Sequence, residues 1–573
     1  MNETKKSTFH ISFRILIPAA LFWGISFVTD TRIFSSDGLN MNCLPIDEDM
    51  ILPMHILTKL LVLLFWLAFF SFLKKAFGQK HLLMVFCCLL AVYAAGLLVT
   101  YPGYYMNDDP IIFAYATRFL PVYWHNYLTS LFYMTAMSIF PASCGPVLLS
   151  DVCYAYVYTF IFAKGYALLK KPSPVAVALL IAPALLPFTL LGSLMCFRPA
   201  IYASFFLYYF MYLYFEHLQQ AVLTPGKLLS LSFLTALLCL WRSESIVLLP
   251  LSAFLIPLTY ASGGLSHTDP SNDAGNAKKS RRQKKMPGSI KSGLIFFVLV
   301  LCFYSLISQP QKQGEKKYYG SDYLIISTTR PLSVILWRDQ TYEGADEDIS
   351  NISAVTDFGY LHNDSLSCSA YNRYNSDHNE GRYTQTGADA RTQKKYLKSA
   401  LRLLLHNPDL YFGERLQLFC ITNGIWNYNT DMVLNLKPVI SSDFHLYEHD
   451  RDYGFEMLDA FRRLPLSCHK GYADFLFKAG GEAFLPMLMI AFAALIVSIF
   501  RKNAFYFFFF SALLARELVI FLTAPASFIQ YSYPTMYVVA AISLCSLALK
   551  AGFFYPSCRT KDTGRQESSP AQK

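Results

Sequence analysis

Two adjacent carboxylates, Asp108 and Asp109, follow a Pro-Gly turn in the segment 101–121. The turn ends the preceding apolar run, so the sequence places the pair at the membrane surface, where the chain leaves a span. A carboxylate there can accept a proton from a sugar hydroxyl or hold a divalent cation such as Mg²⁺ or Mn²⁺. The alternative is a solvated loop in which Asp108 caps a helix that starts near Pro110.

Five further polar side chains stand at the ends of apolar runs and are predicted to bind substrate: Arg118, His125, Arg198, Arg242 and Glu244. Charges at membrane depth are costly and are by default candidates for function. The planar fork of a guanidinium group suits a lipid-linked phosphate, and a histidine nearby can orient the substrate.

Each of these residues also has a purely structural interpretation. Tyr123, Trp124 and Tyr127 are typical of an aromatic belt, which would make the neighbouring histidine incidental. The arginines can snorkel towards the membrane surface, and Arg242 can pair with Glu244. The sequence leaves both interpretations open.

The stretch from His445 to His449 matches the His-x-x-Glu-His zinc pattern. That chemistry needs both histidines on one helix face, and the flanking residues do not show helical periodicity. We therefore predict no catalytic zinc here. The 13 cysteines form no CxxC pair, and Cys368 and Cys468, in a polar region, are candidates for a disulfide.

The elements that must position these groups are apolar. Of the 573 residues, 54% are hydrophobic and 15% are charged, against about 25% charged residues in soluble domains, and the mean hydropathy is +0.33. The net charge of +10 is local and does not indicate a nucleic-acid partner. Thirteen runs approach the length of a span: 13–29 (uncleaved), 55–73, 82–100, 122–141, 146–168, 174–192, 199–215, 227–241, 244–260, 292–309, 484–500, 503–522 and 531–549.

Basic loops predict the sidedness of these runs, because lysine and arginine favour the cytoplasmic side. Lysines follow the runs that end at 73 and 168, and the segment 262–291 is strongly basic, whereas 30–50 is acidic. The segments 101–121 and 310–480 are therefore expected outside and both termini in the cytoplasm. With 101–121 outside and the lysines after residue 168 inside, the chain must cross the membrane an odd number of times between them. The run 122–141 is therefore expected to lie along the interface, which gives twelve spans in the plasma membrane.

The predicted fold is thus an all-α polytopic membrane protein of about 12–13 transmembrane helices with one α+β extracytoplasmic insertion. Its parts are a membrane domain at 1–309, the insertion at 310–480, membrane helices at 481–556 and a disordered cytoplasmic tail at 557–573. Within the insertion, Tyr323 to Ile326 is strand-like, 341–390 is typical of loop, and 392–421 is helical with a break before Pro408.

The order of these features resembles the multi-spanning bacterial glycosyltransferases of the GT-C fold, of the protein O-mannosyltransferase and aminoarabinose-transferase type. The resemblance rests on the Tyr-Pro-Gly turn before Asn107-Asp108-Asp109, Trp124-His125, Gly145 and Asp151, Arg242, and the stretch His406-Asn-Pro-Asp-Leu-Tyr411. It covers most of the chain, although no single motif is highly specific.

The resemblance implies a polyprenyl-phosphate sugar donor, chemistry on the outer face, and a catalytic acid that maps to Asp108 or Asp109. Many relatives have His-Pro-Pro where this chain has His125-Asn126-Tyr127, and the two N-terminal spans are additional. The expected partners are the lipid bilayer, the donor, and a glycan, lipid or protein acceptor. The alternatives are a polysaccharide polymerase or ligase, and a lipid-linked glycan transporter, against which the absence of an inverted repeat argues.

Overall fold

The computed structural model describes residues 13–28, 30, 46–105, 109–260, 287–318, 322–356, 389–422, 484–524 and 529–554, and four positions between 472 and 479. Within these ranges the chain folds into helices and their connections. The one β-type contact described is an isolated bridge between Tyr104 and Met195.

Helices α1 to α12 make up the N-terminal part of the fold. They are α1 Phe13–Val28, α2 Ile51–Phe77, α3 Lys80–Thr100, α4 Asp109–Ala116, α5 Tyr127–Ile139, α6 Gly145–Leu168, α7 Pro174–Ile181, α8 Pro187–Ser193, α9 Arg198–Leu218, α10 Pro225–Trp241, α11 Leu248–Tyr260 and α12 Pro287–Ile307.

The insertion and the C-terminal helices complete the described chain. They are α13 Gln309–Tyr318, α14 Asp322–Ile335, α15 Ala345–Ser353, α16 Ala390–His406, α17 Pro408–Thr422, α18 Phe484–Phe500, α19 Ala504–Thr523 and α20 Tyr533–Phe554.

Many of these helices are apolar enough to cross a membrane. Six satisfy both length and hydropathy: Glu48–Phe77, Lys80–Thr100, Gly145–Leu168, Ser243–Tyr260, Ala504–Thr523 and Tyr533–Gly552. Two bent pairs, broken near Leu186 and Ser308, raise the number to 8 if each is one span. The protein is therefore an all-α, multi-pass membrane protein.

The predicted apolar runs all coincide with helices or, for 174–192, with a broken pair. The count of spans differs, because some runs form helices shorter than the roughly 20 residues a span needs. Helix α5, in the run 122–141, has 13 residues, of which 12 are buried in protein. Length and hydropathy thus support six to eight spans in the described ranges, and the count of twelve stays a prediction.

Hydrogen bonds tie one set of helix ends together, and we call this the site end. The Tyr127 hydroxyl donates to the Ile307 carbonyl at 2.9 Å, Asn126 donates to the Leu240 carbonyl at 2.9 Å, and Tyr105 donates to the Ser143 carbonyl. The site end thus gathers the C-terminal ends of α10 and α12 with the starts of α5 and α6.

The other ends of these helices are joined by contacts of partly exposed lysines and by a ring stack. We call this end of the bundle the lysine end. Lys227 at the start of α10 pairs with Glu216 near the end of α9, and Lys164 near the end of α6 donates to Gln219 at 3.1 Å. The His217 ring stacks on Phe505 at the start of α19, with the ring centroids 3.7 Å apart.

The insertion begins as a helix that is held against the membrane helices. In α13, Gln311 donates to the Tyr123 carbonyl at 2.6 Å and accepts from the Tyr127 backbone at 3.0 Å. Gly314 lies under the Tyr123 ring, where a Cβ atom would come within 2.3 Å of it. This close approach fixes α13 on the short 3₁₀ helix Tyr123–His125.

The predicted strand in the insertion is wrong, since Tyr323 to Ile326 belongs to α14 and no strand occurs in the described part of 310–480. Residues at helical spacing explain the difference: Ile325 and Leu332 are fully buried in a small core with Tyr396 and Leu403 of α16. The predicted helical segment 392–421 is confirmed, with its break at Asn407 before Pro408.

The segment 341–390, predicted as loop, contains α15, so that prediction is wrong for Ala345–Ser353. Gly344, with φ of 87°, turns the chain into this helix. Three acidic residues in the first turn stabilise it through the helix dipole. Cys368, Cys468, the stretch His445 to His449, and the tail 557–573 lie outside the described residues.

Candidate functional site

The segment that carries the acidic pair is pinned to the loop before α9. The Tyr104 backbone donates to the Leu194 carbonyl at 2.9 Å. Gly103, with φ of 109°, lies so close to Val147 that a Cβ atom would come within 2.6 Å of its side chain. A side chain at 103 would push the two segments apart, which explains the glycine.

Asp109 is the first residue of α4 and is fully buried. Its carboxylate lies close enough to act electrostatically on Tyr133 and on Cys196, two residues before Arg198. Asp109 is therefore enclosed by protein and does not lie in a solvated loop, whereas the position of the pair at the membrane surface stays a prediction. Asp108 lies outside the described residues.

His125 and Asn126 join this region to the end of α10. Asn126 has φ of 68° and caps α5, accepting from the Leu128 backbone at 3.1 Å. Thr129 donates to the His125 carbonyl at 2.8 Å and accepts from the Trp241 indole at 3.0 Å. Asparagine tolerates positive φ better than most residues and has the capping side chain that proline lacks, which gives Asn126 a structural role.

The predicted pair Arg242 and Glu244 belongs to a larger buried network. Arg242 Nε donates to Glu244 Oε1 at 2.7 Å, and Arg516 of α19 donates to the same oxygen at 3.0 Å. Arg516 also donates to Glu517 at 3.0 Å, and Glu517 accepts from the Thr535 hydroxyl at 2.6 Å. The ion pair that the sequence offered as an alternative is thus present, as one part of this network.

Aromatic rings cover the same arginines. The Arg242 guanidinium lies 5.1 Å from the centroid of the Tyr531 ring. Arg516 lies 5.8 Å from the centroid of Tyr202 and donates to the Tyr531 carbonyl at 2.8 Å. These contacts fix the orientation of both guanidinium groups.

A second ionic cluster links the insertion to the membrane helices. Glu414 of α17 accepts from both Arg330 of α14 and Arg415. Arg415 Nη1 donates to the Ala524 carbonyl, just after α19, at 2.7 Å. All three side chains are at most 6% exposed.

A cleft lies between these two clusters, among α17, α18, α19 and the 3₁₀ helix Ile529–Ser532. It encloses about 420 Å³ of open space, including its mouth. Its lining residues are Arg415, Leu418, Phe419, Thr422, Phe484, Glu517, Ile520, Phe521, Ala524, Tyr531 and Ser532. Arg415 belongs to one cluster and Glu517 to the other, so the cleft connects them.

Two further predicted residues, Arg198 and Arg118, lie outside the ionic networks described above. Arg198 begins α9 directly after Phe197, whose ring lies 6.2 Å from the His125 ring. Arg118 is half-buried just after α4, and its Nε makes no hydrogen bond within the described part of the chain. No described contact joins Arg118 to the networks above.

The expected divalent cation finds no ligand set among the described residues, where no three His, Cys, Asp or Glu side chains come together.

Sequence reasoning missed Arg516, Glu517, Arg330, Glu414 and Arg415. The first two interrupt the apolar run 503–522, and charges inside a predicted span are the signal that could have revealed them. The last two stand in the predicted helical segment 392–421. The proximity of Arg330 to Glu414 and Arg415 depends on tertiary packing, which the sequence does not reveal.

Comparison of the chain with models of known families, with curated proteins and with solved structures found no match in any of the three.

Proposed function

We propose that the protein is a membrane glycosyltransferase that moves a sugar from a polyprenyl-phosphate donor to an extracytoplasmic glycan, lipid or protein acceptor, with a GT-C fold. The observation that supports this proposal is that neighbouring residues connect Asp109, His125, Arg198, Arg242 and Glu244: Asp109 acts on Cys196, Phe197 packs near His125, and Thr129 links His125 to Trp241 beside the Arg242–Glu244 pair. An acid and several arginines at the end of a helix bundle suit a substrate that carries both a sugar and a lipid phosphate.

In this proposal, Asp109, with Asp108, takes the proton from the acceptor hydroxyl. The acceptor oxygen forms a bond to the anomeric carbon as the bond from that carbon to the phosphate oxygen breaks. The electron pair of the broken bond leaves with the polyprenyl phosphate. Nearby carboxylates stabilise the oxocarbenium-like transition state, as in glycoside hydrolysis, and Arg198, Arg242 or Arg118 holds the phosphate.

The proposed orientation follows the charges at the two ends. Lys74 and Lys75 stand in the last turn of α2, whereas Asp47 and Glu48 precede its first turn at the site end. Because basic residues favour the cytoplasmic side, the site end and 310–480 face outwards from the plasma membrane and both termini face inwards.

The direct test is transfer by the purified protein from a radiolabelled polyprenyl-phosphate sugar. We expect Asp109→Asn to lower the rate of transfer about 10²–10⁴-fold, as for the loss of a general base. The variants Asp108→Asn and the double Asn variant should be measured beside it. Asp409→Asn is the matched control, since Asp409 is 60% exposed and pairs with Arg338 on the insertion.

Each outcome separates two interpretations. If Asp108 only caps a helix, Asp108→Asn is nearly silent, because asparagine caps as well as aspartate. A double variant that retains full transfer would contradict the site, and the catalytic groups would then lie in 310–480. Movement of the lipid across vesicles without transfer would favour the transporter.

A further inference from the structure

We propose that the consecutive helices α16 and α17 of the insertion lie on the surface of the lipid bilayer and bind the anionic headgroups of phospholipids. The exposed face of α16 supplies the cations. Exposed apolar side chains of both helices enter the boundary between the headgroups and the acyl chains. This inference concerns the insertion alone and does not depend on sugar transfer.

Helix α16 is strongly basic. Its 17 residues contain no carboxylate and five cations, which are Arg391, Lys394, Lys395, Lys398 and Arg402. Arg402 pairs with Asp348 of α15, whereas within the described ranges none of the three lysines is in an ion pair. A basic amphipathic helix of this kind is typical of a segment that lies on a membrane surface.

The exposed face of α16 changes from cationic to apolar along the helix. One exposed stripe consists of Lys394, Lys398, Leu401 and Leu405. These residues follow one another at intervals of three or four, so their side chains are neighbours on the helix. The two leucines are 57% and 69% exposed, whereas Tyr396 on the opposite face is fully buried in the core of the insertion.

The distances along this stripe suit the layers of a bilayer. Lys398 lies about 10 Å from Leu405 along the helix axis, at about 1.5 Å per residue. The headgroup layer on each side of a bilayer is about 5–8 Å thick, and the flexible stem of a lysine extends its reach. In a tilted α16, the leucines therefore reach the acyl boundary while the lysines stay among the headgroups.

The apolar end of the stripe is held next to the membrane helices. Helix α17 follows directly, and its side chains Phe412 and Leu416 are each 53% exposed. The Tyr411 hydroxyl donates to the Leu522 carbonyl at 2.8 Å, in the last turn of the candidate span Ala504–Thr523. The junction of α16 and α17 therefore lies at the level where this span ends, which is the boundary of the bilayer.

An exposed tryptophan stands near the same junction. Trp337 is 61% exposed, and the next residue, Arg338, donates to Asp409 in the first turn of α17 at 2.6 Å. Tryptophan is enriched where membrane meets water. This part of the insertion thus exposes five large apolar side chains: Trp337, Leu401, Leu405, Phe412 and Leu416.

The combination of charge and apolar surface identifies the partner. Exposed apolar surface of this extent marks an interaction with a membrane or a protein. The cations beside it attract anionic lipid, since clusters of lysine and arginine next to a span bind acidic headgroups. The attachment of α17 to the end of α19 places the bilayer within reach, so an anionic lipid surface is the partner that fits both features.

The test follows a fluorescent NBD label at Leu405→Cys in the full-length protein in a cysteine-free background. The protein is placed in nanodiscs of phosphatidylcholine, with or without phosphatidylglycerol. Lipids brominated near the headgroup quench a label that enters the bilayer, and we expect such quenching in the phosphatidylglycerol discs. The matched control is a label at Glu347→Cys, an exposed position on α15, which only aqueous iodide should quench.

A second set of variants tests the charge. Each lysine near an anionic surface strengthens attachment about fivefold. The double variant Lys394→Gln, Lys398→Gln should therefore lower the ratio of docked to undocked α16 about 30-fold, and high salt should act in the same direction by screening. The control Lys312→Gln, Lys316→Gln removes the same charge from exposed positions on α13 and should leave this ratio unchanged.

The proposal is overturned if iodide but not brominated lipid reaches the label at position 405 in both kinds of disc. A label protected from both quenchers would also contradict it, since a second copy of the chain or another protein would then cover the leucines. Equal quenching by lipid in both kinds of disc, unchanged by the α16 lysine variants, would contradict the recognition of anionic headgroups.

Discussion

The two ends of the helix bundle use different cations for different purposes. At the site end, four arginines are each at most 5% exposed and share glutamates from several helices. At the lysine end, Glu216 is met by Lys227 and Lys164, whose side chains are 30% and 31% exposed. A lysine reaches water with its flexible stem, whereas the planar fork of arginine holds two or three partners at once.

The lysines at one end and the buried arginines at the other thus have different effects on the protein. Lysines near the ends of spans determine which side of the membrane an end occupies. Buried arginine–glutamate networks contribute little net stability, because desolvation offsets the attraction between the charges. The network at the site end therefore adds little to the stability of the fold, although removal of one of its members leaves the remaining charges buried with fewer partners.

The largest expected effect concerns which side of the membrane each end of the bundle faces. Labelling of an engineered cysteine there is expected to be all or none. In a cysteine-free background, an impermeant maleimide should label Glu343→Cys in intact cells. Gln79→Cys, in the loop between α2 and α3, should be labelled only after permeabilisation; both positions are exposed. Labelling of both in intact cells, or of Gln79→Cys alone, would contradict the proposed orientation.

The next largest effect is expected at the centre of the arginine network. Arg516→Gln leaves Glu244 and Glu517 buried with one partner fewer, which should lower the free energy of unfolding by about 3–5 kcal/mol. Arg338→Gln, which breaks the exposed pair with Asp409, should cost about 1 kcal/mol or less. Titration of unfolding in mixed micelles measures both, and equal losses would show that burial does not distinguish the two arginines.

A smaller effect is expected at the lysine end. Glu216→Gln removes the partner of Lys227 and Lys164, at a cost of about 2 kcal/mol for hydrogen bonds to a charged group. Because both lysines can turn towards water, sugar transfer should be unchanged. A loss of transfer in a folded Glu216→Gln protein would mean that the two ends are coupled.

The smallest effect depends on pH and concerns Asp47 at the site end. Burial raises its pKa, but hydrogen bonds from Tyr123 and Lys317 outweigh burial and hold the pKa below the ordinary value of 3.8. The stability this provides is present above that ordinary value and is lost as the pH falls through the lowered pKa.

The stabilising effect of Asp47 relative to Asp47→Asn should be about 1 kcal/mol at neutral pH. It should shrink below pH 3.8. Tyr123→Phe, which removes one donor to the carboxylate, should lose part of the same pH dependence. A difference that stays constant through the acid range would show that the carboxylate of Asp47 is not the group that titrates.

The sequence predicts the helices well and the site in part. Continuous apolar runs identify every described candidate span, because lipid demands continuous hydrophobic surface. Arg242 and Glu244 were recognised because they interrupt that surface. The strand at Tyr323 was misassigned, because a short run of large apolar residues is typical of either structure until packing against α16 selects one.

The burial of Asp109 was not predictable, since it depends on the contact between Tyr104 and Leu194 in distant segments. The same holds for Arg415, which meets Arg330 and Ala524 only after the insertion folds back on α19. Contacts of this kind leave no periodic trace in the sequence.

The insertion is attached to the membrane helices at two places. Its first helix is fixed, because Gly314 and Gln311 lock α13 onto the 3₁₀ helix that contains His125. Its second attachment is α17, where the Tyr411 hydroxyl donates to the Leu522 carbonyl at 2.8 Å. The chain between Gln311 and Tyr411 is thus tied to the membrane helices at both of its ends.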